Sequence, residues 1–542
     1  MSSRRRIAIL ASLSVVGSSL ALAATSQASG SALNRSTFGA APGGFAAYHA
    51  VKVASDPKGP AAAVPANRAI AYHGPKLVLA QSYVGRKAAE PTLGIDHKGA
   101  IYTVASAFDA VPGNPPKNEP KTLVMRSTDG GRTFQNEQPS VAGQNSMVVS
   151  TDPYLYVDPN VAQSAGRIFD IDLQGVNGAH LAFSDDQGKT WTQTVLTSAG
   201  VNDHQTLITG VEPKSVPIPL TDPAYQKVVY YCVNQIADGS CIRSFDGGKT
   251  FVQGNQSGYE AVNPGYLAGF DGGHNEGICG SLHGHAVTDK DGLLFVPRGY
   301  CDIPELAIST DAATTFHTVQ VSNVSMYGEQ ASVAVDRNGT LYYVWQGGGH
   351  NLPFLAISKD HGAHWSTPMM IAPPGVQEVD FPSIDVGDPG RIAITFPGTT
   401  STGGSRDKTR PWNSYVVMST DALSANPLFL SNIANPTYDP VHRGDCGGES
   451  GGRCGRMYDF LDIVSSPIDQ GRVFATAVDT CTTYLSCSTK RVDGENDDDT
   501  VSYEEGTTHG AADDMQGIVI REVSGPALRG PSAYITHDSA RH

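Results

Sequence analysis

The sequence predicts an all-β fold in which one small sheet is repeated around a central axis. The first observation is a recurring stretch, S-x-D-x-G-x-T-aromatic, whose clearest copy runs from Ser127 to Phe134. Its copies are roughly 50 to 65 residues apart, which indicates one supersecondary unit repeated along the chain. The copies are marked by their aspartates, Asp129, Asp186, Asp246, Asp311, Asp360 and Asp421. The second observation is composition, because 17% charged residues and 59 glycines suit many short strands joined by turns.

Each copy is interpreted as a tight hairpin turn after an apolar strand, such as Thr122–Met125. Serine and aspartate side chains bond backbone N–H groups within such turns, and glycine supplies the positive φ angle. The aromatic residue is expected to fill the gap between neighbouring sheets. The repeated aspartates are therefore interpreted as structural residues.

The strand order within each unit is also repeated. A first strand, a short Asp/Gly turn and a second strand precede a variable loop and a third strand, which ends in the repeated turn. First strands are expected to begin near Glu90, Asp152, Asp203, Leu282, Glu329, Asp380 and Tyr458. Seven such units around one axis form a seven-bladed β-propeller, within the usual range of four to eight blades. The strand at 76–82 is expected to close the ring as the outer strand of the last blade.

The repeated turn resembles the Asp-box, or BNR repeat, of sialidase-like β-propellers, and the resemblance covers residues 76–525. It implies the propeller fold. It leaves a six-bladed arrangement as the alternative, because six-bladed sialidases carry the same turns. It also implies an activity, that of an exo-α-sialidase-like glycoside hydrolase acting on terminal sugars of glycans.

The resemblance further implies a set of site residues. Three arginines would clamp a sugar carboxylate, since guanidinium groups bind carboxylates bidentately; these are Arg86, Arg298 and Arg456. Tyr458 would be the nucleophile with Glu329 as its supporting base. Asp152 or Asp203 would protonate the leaving oxygen.

One departure from the family pattern supports a second hypothesis. Sialidases carry an R-I-P motif, whereas this chain has Arg86-Lys87-Ala88. Because fold does not imply function, the alternative is a non-catalytic propeller that binds a glycan or a protein. In either case the expected partner is a carbohydrate or glycoprotein.

Several first strands begin with a carboxylate that would ring the mouth of the axis. These residues are Glu90, Asp152, Asp203, Glu329, Asp380 and Asp459. They suit a hydrolytic acid–base pair or a hard cation such as Ca²⁺. The structural alternative is that each one caps local backbone N–H groups. No other cofactor is predicted. The acidic run at 493–499 is interpreted as a solvated loop, with cation binding as the alternative.

The fourth unit is the richest in histidine. His283 and His285 lie two apart on a predicted strand and would therefore point to the same side. With His204 and the axial acids, they can form a metal site or shuttle protons; the alternative is one packed and one exposed histidine. This gives a third hypothesis, a polysaccharide lyase in which His283 or His285 acts with Tyr300. Arg298 would then neutralise a uronate carboxylate.

The topology sorts the loops between two faces of the propeller. The repeated turns lie on one face, and most long loops lie on the other. These loops are Ala105–Lys121, Asn255–Ser281, Ser401–Trp412, Leu423–Met457 and Asp479–Met515. Because function concentrates on loops held by a scaffold, this long-loop face is the predicted working surface.

The eight cysteines fall on the long-loop face in close sequential pairs. In an exported chain such pairs predict disulfides. The predicted bridges are Cys232–Cys241, Cys279–Cys301, Cys446–Cys454 and Cys481–Cys487. They either pin a working surface or merely tether long loops. The chain has no C-x-x-C motif, which disfavours zinc.

The N-terminus predicts export. Arg4–Arg6 precede the apolar run Ile7–Leu20 and small residues suited to cleavage, so residues 1–28 are interpreted as a signal peptide. Residues 29–75 are expected to be a linker or loosely packed arm, and residues 526–542 a C-terminal tail. A secreted monomer without a membrane span is expected. The net charge of −15 disfavours nucleic acid and anionic membranes as partners.

Overall fold

The computed structural model is a seven-bladed β-propeller, so the predicted blade number is confirmed over the six-bladed alternative. No helix occurs among the residues that it describes. Those residues are 37–38, 44–54, 64–107, 121–136, 153–160, 164–173, 179–196, 203–235, 238–254, 283–300, 302–326, 331–349, 351–402, 410–437, 439–443, 461–479 and 516–536.

The described strands are short, and most have seven residues or fewer. In chain order they are β1 Thr37–Phe38, β2 Ala46–His49, β3 Val51–Lys52, β4 Val78–Ile95, β5 Ile101–Ala107, β6 Lys121–Ser127, β7 Gln135–Asn136, β8 Pro153–Asp158, β9 Arg167–Leu173, β10 Ala179–Ser184, β11 Thr192–Leu196, β12 Asp203–Gly210, β13 Val228–Gln235, β14 Asp238–Ser244, β15 Val252–Gln253, β16 Val287–Thr288, β17 Leu294–Tyr300, β18 Ile303–Ser309, β19 His317–Gln320, β20 Ser332–Val335, β21 Leu341–Gly347, β22 Leu352–Ser358, β23 Met369–Met370, β24 Glu378–Val379, β25 Ser383–Val386, β26 Ile392–Thr399, β27 Pro411–Ser419, β28 Leu428–Ile433, β29 His442–Arg443, β30 Ile463–Ser465, β31 Val473–Asp479, β32 Gln516–Pro526 and β33 Tyr534–Ile535.

Consecutive strands pair antiparallel from the axis outward. Blades 2, 3 and 4 are β8–β11, β12–β15 and β16–β19. Blades 5 and 6 are β20–β23 and β25–β28, and each gains an outer strand, β3 and β2 respectively. Blade 1 contains β5–β7 and blade 7 contains β30–β32. This order places the loop before each inner strand and the loop between strands two and three on the same face, the long-loop face.

Strand β4 closes the ring because it belongs to two blades. Its first half is the outer strand of blade 7, with Gln81 opposite Ile520 of β32. Its second half is the inner strand of blade 1, with Leu93 opposite Thr103 of β5. The prediction that residues 76–82 close the last blade is therefore confirmed.

Both ends of the described chain pack on the blades. Strands β2 and β3 come from the segment predicted as a linker or arm, and the buried Tyr48 hydroxyl donates a 2.6 Å hydrogen bond to the Ile371 carbonyl. Beyond β32, Leu528 is buried in a hydrophobic cluster with Leu77, and its carbonyl accepts a 2.7 Å hydrogen bond from the Asp388 N–H.

The repeated turns share one hydrogen-bond pattern. In the first copy the Ser127 hydroxyl donates to Asp129 at 2.8 Å and accepts from the Gly131 N–H at 2.9 Å. The Thr133 hydroxyl donates to the same carboxylate at 2.6 Å. Partial burial opposes the effect, but the hydrogen bonds from Thr133 and Ser127 hold the pKa of Asp129 below its ordinary value. These carboxylates therefore hold the turns together.

The hydrophobic core is divided among the spaces between adjacent blades. Trp191, the aromatic residue of the second turn, packs against a buried cluster that includes Tyr102 of blade 1 and Val157 of blade 2. Its indole N–H donates to the Gly188 carbonyl at 2.9 Å. The turn aromatic thus fills an inter-blade gap, as predicted. Among the described residues, none forms a helix with the length and hydrophobicity needed to cross a membrane.

Candidate functional site

Seven polar side chains, one from each blade, occupy matching positions where the inner strands begin. They are Thr92, Tyr154, Thr206, His285, Ser332, Ser383 and Asp462. We refer to this set as the axial ring. Because inner strands start at the long-loop face, the axial ring lies near the long-loop mouth of the axis.

Hydroxyl groups of the axial ring tie neighbouring blades together. Thr92 accepts the Leu155 N–H at 2.8 Å, and Thr206 accepts the Ala286 N–H at 3.1 Å. Ser332 accepts the Ile384 N–H at 3.2 Å. Each bond joins one blade to the inner strand of the next, so the ring members are held by the scaffold.

Three members of the axial ring meet across the axis, although they come from blades 2, 4 and 7. The imidazole Nδ1 of His285 lies 3.7 Å from Oδ1 of Asp462. The ring centroids of His285 and Tyr154 are 4.9 Å apart, in an edge-to-face arrangement. The side chains of His285 and Asp462 retain 15% and 12% of their exposure, so solvent reaches both. We call these three residues the axial triad.

Two members of the axial triad, Asp462 and Tyr154, are oriented by further contacts. Asp462 accepts N–H groups from Ile463 at 2.9 Å and Leu93 at 3.2 Å. The Tyr154 hydroxyl accepts a 3.3 Å hydrogen bond from Thr206. Burial, reinforced by the Asp462 charge, raises the pKa of Tyr154 far above its ordinary value. Tyr154 is therefore a protonated phenol, which can donate a hydrogen bond and does not act as a phenolate nucleophile.

A second polar group lies in the space between blades 3 and 4. Arg298 of β17 and Glu305 of β18 are a cross-strand pair, 1% and 2% exposed. Burial raises the pKa of Glu305 to about 7, against the opposing effect of Arg298. Burial also lowers the pKa of His283 to about 3, and the nearby His204 and Arg298 add to this effect. His283 is therefore neutral at pH 7.

The expectation that His283 and His285 point to the same side and share a site is wrong. Strand β16 begins only at Val287, so the side-chain alternation of a regular strand does not apply to the segment before it. The His283 imidazole bonds the Gly284 carbonyl at 3.1 Å and lies beside Arg298. His285 instead points into the axis. Of the two, only His285 belongs to the axial triad.

Two of the predicted axial carboxylates are described, and both are buried. Glu90 is 0% exposed, and Asp380 accepts hydrogen bonds from Gln346 at 2.7 Å and from the Phe381 N–H at 3.1 Å. The backbone is left-handed at Glu90 (φ 53°), His204 (φ 46°) and Phe381 (φ 44°). Non-glycine residues adopt this conformation at a cost of about 1–3 kcal/mol. Three inner strands therefore begin with a strained residue just before the axial ring.

Several predicted site residues lie outside the described part of the chain, and their roles stay predictions. They are Asp152, Glu329, Arg456, Tyr458, Asp459, Cys279, Cys301, Cys446, Cys454, Cys481 and Cys487. Arg86, Asp203 and Tyr300 lie in described strands, but their side chains are outside the description. Of the three arginines, the side chain of Arg298 alone is described. The predicted Cys232–Cys241 bridge is present across β13 and β14.

Sequence reasoning missed Tyr154, Glu305 and Asp462. Tyr154 and Asp462 follow the predicted strand starts Asp152 and Asp459 by two and three residues. An alignment of the seven first strands on Thr92 and its counterparts would have placed both in the axial ring. Glu305 carries no such signal, because its burial depends on the neighbouring blade.

One group of described side chains has the composition of a metal site on the opposite face. Asp289, Asp291 and His361 lie close together, with His361 Nδ1 3.2 Å from Asp289 Oδ2. In blades 1 and 2 the equivalent contact is a 2.8 Å hydrogen bond from Gln187 to Asp96. Because a glutamine fills the same place, we assign His361 to the same inter-blade contact.

No protein-family model matches the chain, and a search of curated proteins gives no match either. Among solved structures, a GH74 enzyme from Niastella koreensis is 15% identical, with a TM-score of 0.37, over 81% of this chain and 71% of that one. The intramolecular trans-sialidase from Ruminococcus gnavus is 13% identical, with a TM-score of 0.34, over 75% and 93%. The six-bladed, fucose-recognising lectin of Aleuria aurantia is 12% identical, with a TM-score of 0.35, over 61% and 91%. These distant likenesses concern the fold and do not bear on the axial ring.

Proposed function

We propose that the chain is an exported Asp-box propeller that acts on glycans at the long-loop mouth of its axis. The N-terminal arginines and apolar run support export. The shared hydrogen-bond pattern of the repeated turns supports the Asp-box assignment. A polar ring with residual solvent exposure supports binding of a hydroxyl-rich ligand, because binding sites combine a concave surface with a few fixed polar groups.

The observation that carries a catalytic function is the meeting of His285, Asp462 and Tyr154 across the axis. A neutral imidazole takes a proton, a carboxylate stabilises the imidazolium that results, and a protonated phenol gives a proton. This set favours polysaccharide cleavage by elimination, with Tyr154 in the role first given to Tyr300. His285 removes the proton next to a uronate carboxylate, the carbon–oxygen bond breaks, and Tyr154 protonates the departing oxygen. Proton transfer from His285 to Tyr154 then restores both groups.

A sialidase-like hydrolase is the second candidate, favoured by the repeated turns and by the position of Arg298 near the end of a second strand. It requires an arginine clamp on the sugar carboxylate. Arg298 is 1% exposed and paired across the sheet with Glu305. The described residues therefore support the axial triad more directly than the clamp.

The secreted protein is tested against two substrate classes in parallel. Uronate polymers report elimination through the ultraviolet absorbance of the unsaturated product, and a fluorogenic sialoside reports hydrolysis. We expect elimination that falls by about 10²- to 10⁴-fold in His285→Ala and in Tyr154→Phe, the range of acid–base contributions. The matched control is His317→Ala, an exposed histidine on the outer strand β19.

Each outcome separates the hypotheses. Sialoside turnover without elimination would refute the lyase and establish the hydrolase. No turnover of either class, together with glycan binding that His285→Ala weakens, would leave the axial ring as a binding site without catalysis. Elimination that survives in His285→Ala would refute the role of the axial triad.

A further inference from the structure

A cavity of about 380 Å³ opens on the face of the repeated turns, where blades 5 and 6 meet. The axial triad lies near the opposite face of the propeller. Blade 5 contributes the fifth repeated turn and the outer strands β23 and β3, and blade 6 contributes residues 422–424 of its own turn. The volume falls in the lower part of the range of ligand pockets, which is about 300–1,000 Å³. The cavity therefore suits one or two rings of a small ligand.

The fifth repeated turn departs from the other copies at two positions, and both line this cavity. Lys359 follows the serine, where the first, fourth and sixth copies have threonine. His364 replaces the threonine of the first four copies. Its Nδ1 lies 2.7 Å from the Asp360 carboxylate and takes over the bond that Thr133 makes to Asp129 at 2.6 Å. Because the turn uses only that nitrogen, Nε2 is left for another partner.

Trp365 occupies the aromatic position of the same turn, but the turn does not hold it as it holds Trp191. The indole N–H of Trp191 donates to the Gly188 carbonyl at 2.9 Å, whereas that of Trp365 has no acceptor among the described residues. Trp365 packs edge-to-face on Tyr343, with ring centroids 5.9 Å apart, and stays partly exposed. It therefore gives the cavity an aromatic surface beside polar side chains.

Two lysines give the cavity a positive charge in a chain whose net charge is −15. Lys359 is exposed and forms no ion pair with any described residue. Lys52, from β3, donates one hydrogen bond to the Ala425 carbonyl at 3.1 Å, which leaves two donors on its ammonium group. Hydrogen bonds from His364 and within the turn engage the Asp360 carboxylate and hold its pKa at about 2. An anionic ligand therefore meets two ammonium groups that lack a carboxylate partner.

We propose that this cavity binds a carboxylated sugar and is a second glycan site of the protein. The ammonium groups of Lys52 and Lys359 bind the carboxylate through charge-assisted hydrogen bonds. Trp365 packs against the apolar C–H face of the sugar ring, and the exposed Thr367 and His364 bind sugar hydroxyls. The choice of a sugar over another carboxylate rests on the proposed glycan function, whereas the cavity and its charge do not.

The repeat supplies substitutions that the fold accepts, because other copies of the turn already contain them. Lys359→Thr and His364→Thr restore the residues that the fourth turn has at both positions. The double variant should therefore unfold at nearly the wild-type temperature. Lys189→Thr is the matched control, since Lys189 is an exposed lysine of the second turn, away from the cavity.

Binding is measured at the cavity itself by fluorine NMR of the full secreted chain labelled with fluorotryptophan. The chain has four tryptophans, and the resonance lost in Trp365→Phe identifies Trp365. The probes are glucuronate, N-acetylneuraminate, glucose and benzoate. We expect at least one of the two sugar acids to shift this resonance, with an affinity about 10-fold or more above that for glucose. The double variant should lose about 10-fold in affinity, and the control none.

Each result bears on the proposal. A shift produced equally by glucose would refute the role of the carboxylate, and one produced equally by benzoate would refute a sugar ligand. An affinity that the double variant retains would refute the roles of Lys359 and His364, and no shift with any probe would refute the site. Elimination of short oligosaccharides is measured in parallel and should be unchanged in the double variant. Loss of binding with retained elimination would therefore overturn this inference alone, and absent elimination with retained binding would overturn the proposed activity alone.

Discussion

The carboxylate of Asp462 in blade 7 lies 3.7 Å from the imidazole of His285 in blade 4. Asp462 is fixed by two backbone N–H groups, those of Leu93 and Ile463. The pair therefore places a histidine beside a carboxylate that the backbone orients. Its two members come from opposite sides of the propeller, so the closed ring of blades is what brings them together.

This relationship predicts a positioning role for Asp462. Asp462→Asn keeps the shape of the side chain but removes the negative charge beside His285. We expect kcat on the substrate identified above to fall by about 10²-fold, while KM changes little, because the charge acts on the imidazolium of the reacting state. An equal loss in kcat and in glycan binding would indicate a structural role instead.

Glu305 predicts a pH-dependent stability. Burial raises its pKa to about 7, from an ordinary 4.5. Because the folded pKa is the higher one, its contribution is complete below about pH 4.5 and is lost as the pH rises through about 7. Ionisation of Glu305 should therefore lower the unfolding free energy of wild type by about 2–3 kcal/mol between pH 4 and pH 8. Glu305→Gln should not show this decrease. Denaturant unfolding across that range measures it, and parallel curves for the two proteins would contradict it.

The Cys232–Cys241 bridge predicts a stability loss on removal. Both cysteines are buried, with 0% and 1% exposure, and they join adjacent strands of blade 3. A disulfide that closes a short loop of this kind stabilises the folded protein by about 2–3 kcal/mol, because it lowers the entropy of the unfolded chain. The double variant Cys232→Ala with Cys241→Ala should unfold at correspondingly lower denaturant concentration. A difference in unfolding free energy below about 0.5 kcal/mol would show that the bridge restricts the unfolded chain little.

Tyr48 predicts that the segment before the closing strand is part of the folded unit. Tyr48→Phe removes the hydrogen bond to the Ile371 carbonyl and should cost about 1 kcal/mol. Tyr48→Ala also removes the buried ring, which is 0% exposed, and should cost about 3–5 kcal/mol. Calorimetric unfolding of the two variants checks the ratio. Wild-type stability in Tyr48→Ala would mean that β2 does not pack on blade 6 in solution.

The contact between His361 and Asp289 predicts that glutamine can replace this histidine without loss of stability. Gln187 makes the same contact with Asp96 through its amide. His361→Gln should therefore keep the stability of wild type within about 0.5 kcal/mol, whereas His361→Ala should lose about 1 kcal/mol. Thermal unfolding with and without Zn²⁺ provides the measurement. A Zn²⁺ stabilisation that disappears in His361→Gln would show that the Asp289 group binds metal after all.

The fold was accessible from sequence because its determinants are local. A Ser–Asp turn such as Ser127 to Thr133 satisfies its own hydrogen bonds, so its pattern is visible in a few residues. The site was less accessible. The sequence marks His285 as unusual but pairs it with His283 and Tyr300, because strand alternation does not apply to the segment before Val287, where β16 begins. The sequence favours Asp459 over Asp462 as the axial carboxylate, since register within an inner strand is set by pairing with its neighbour.

The sequence by itself determined the repeat, the turn chemistry and the strand that closes the ring, and it predicted seven blades with six as the alternative. These follow from local hydrogen bonding and from the period of the chain. Only the tertiary structure decided that Tyr154, His285 and Asp462 meet. The reason is geometric: contacts across the axis and between blades depend on the closure and twist of the whole ring, which no short stretch of sequence encodes.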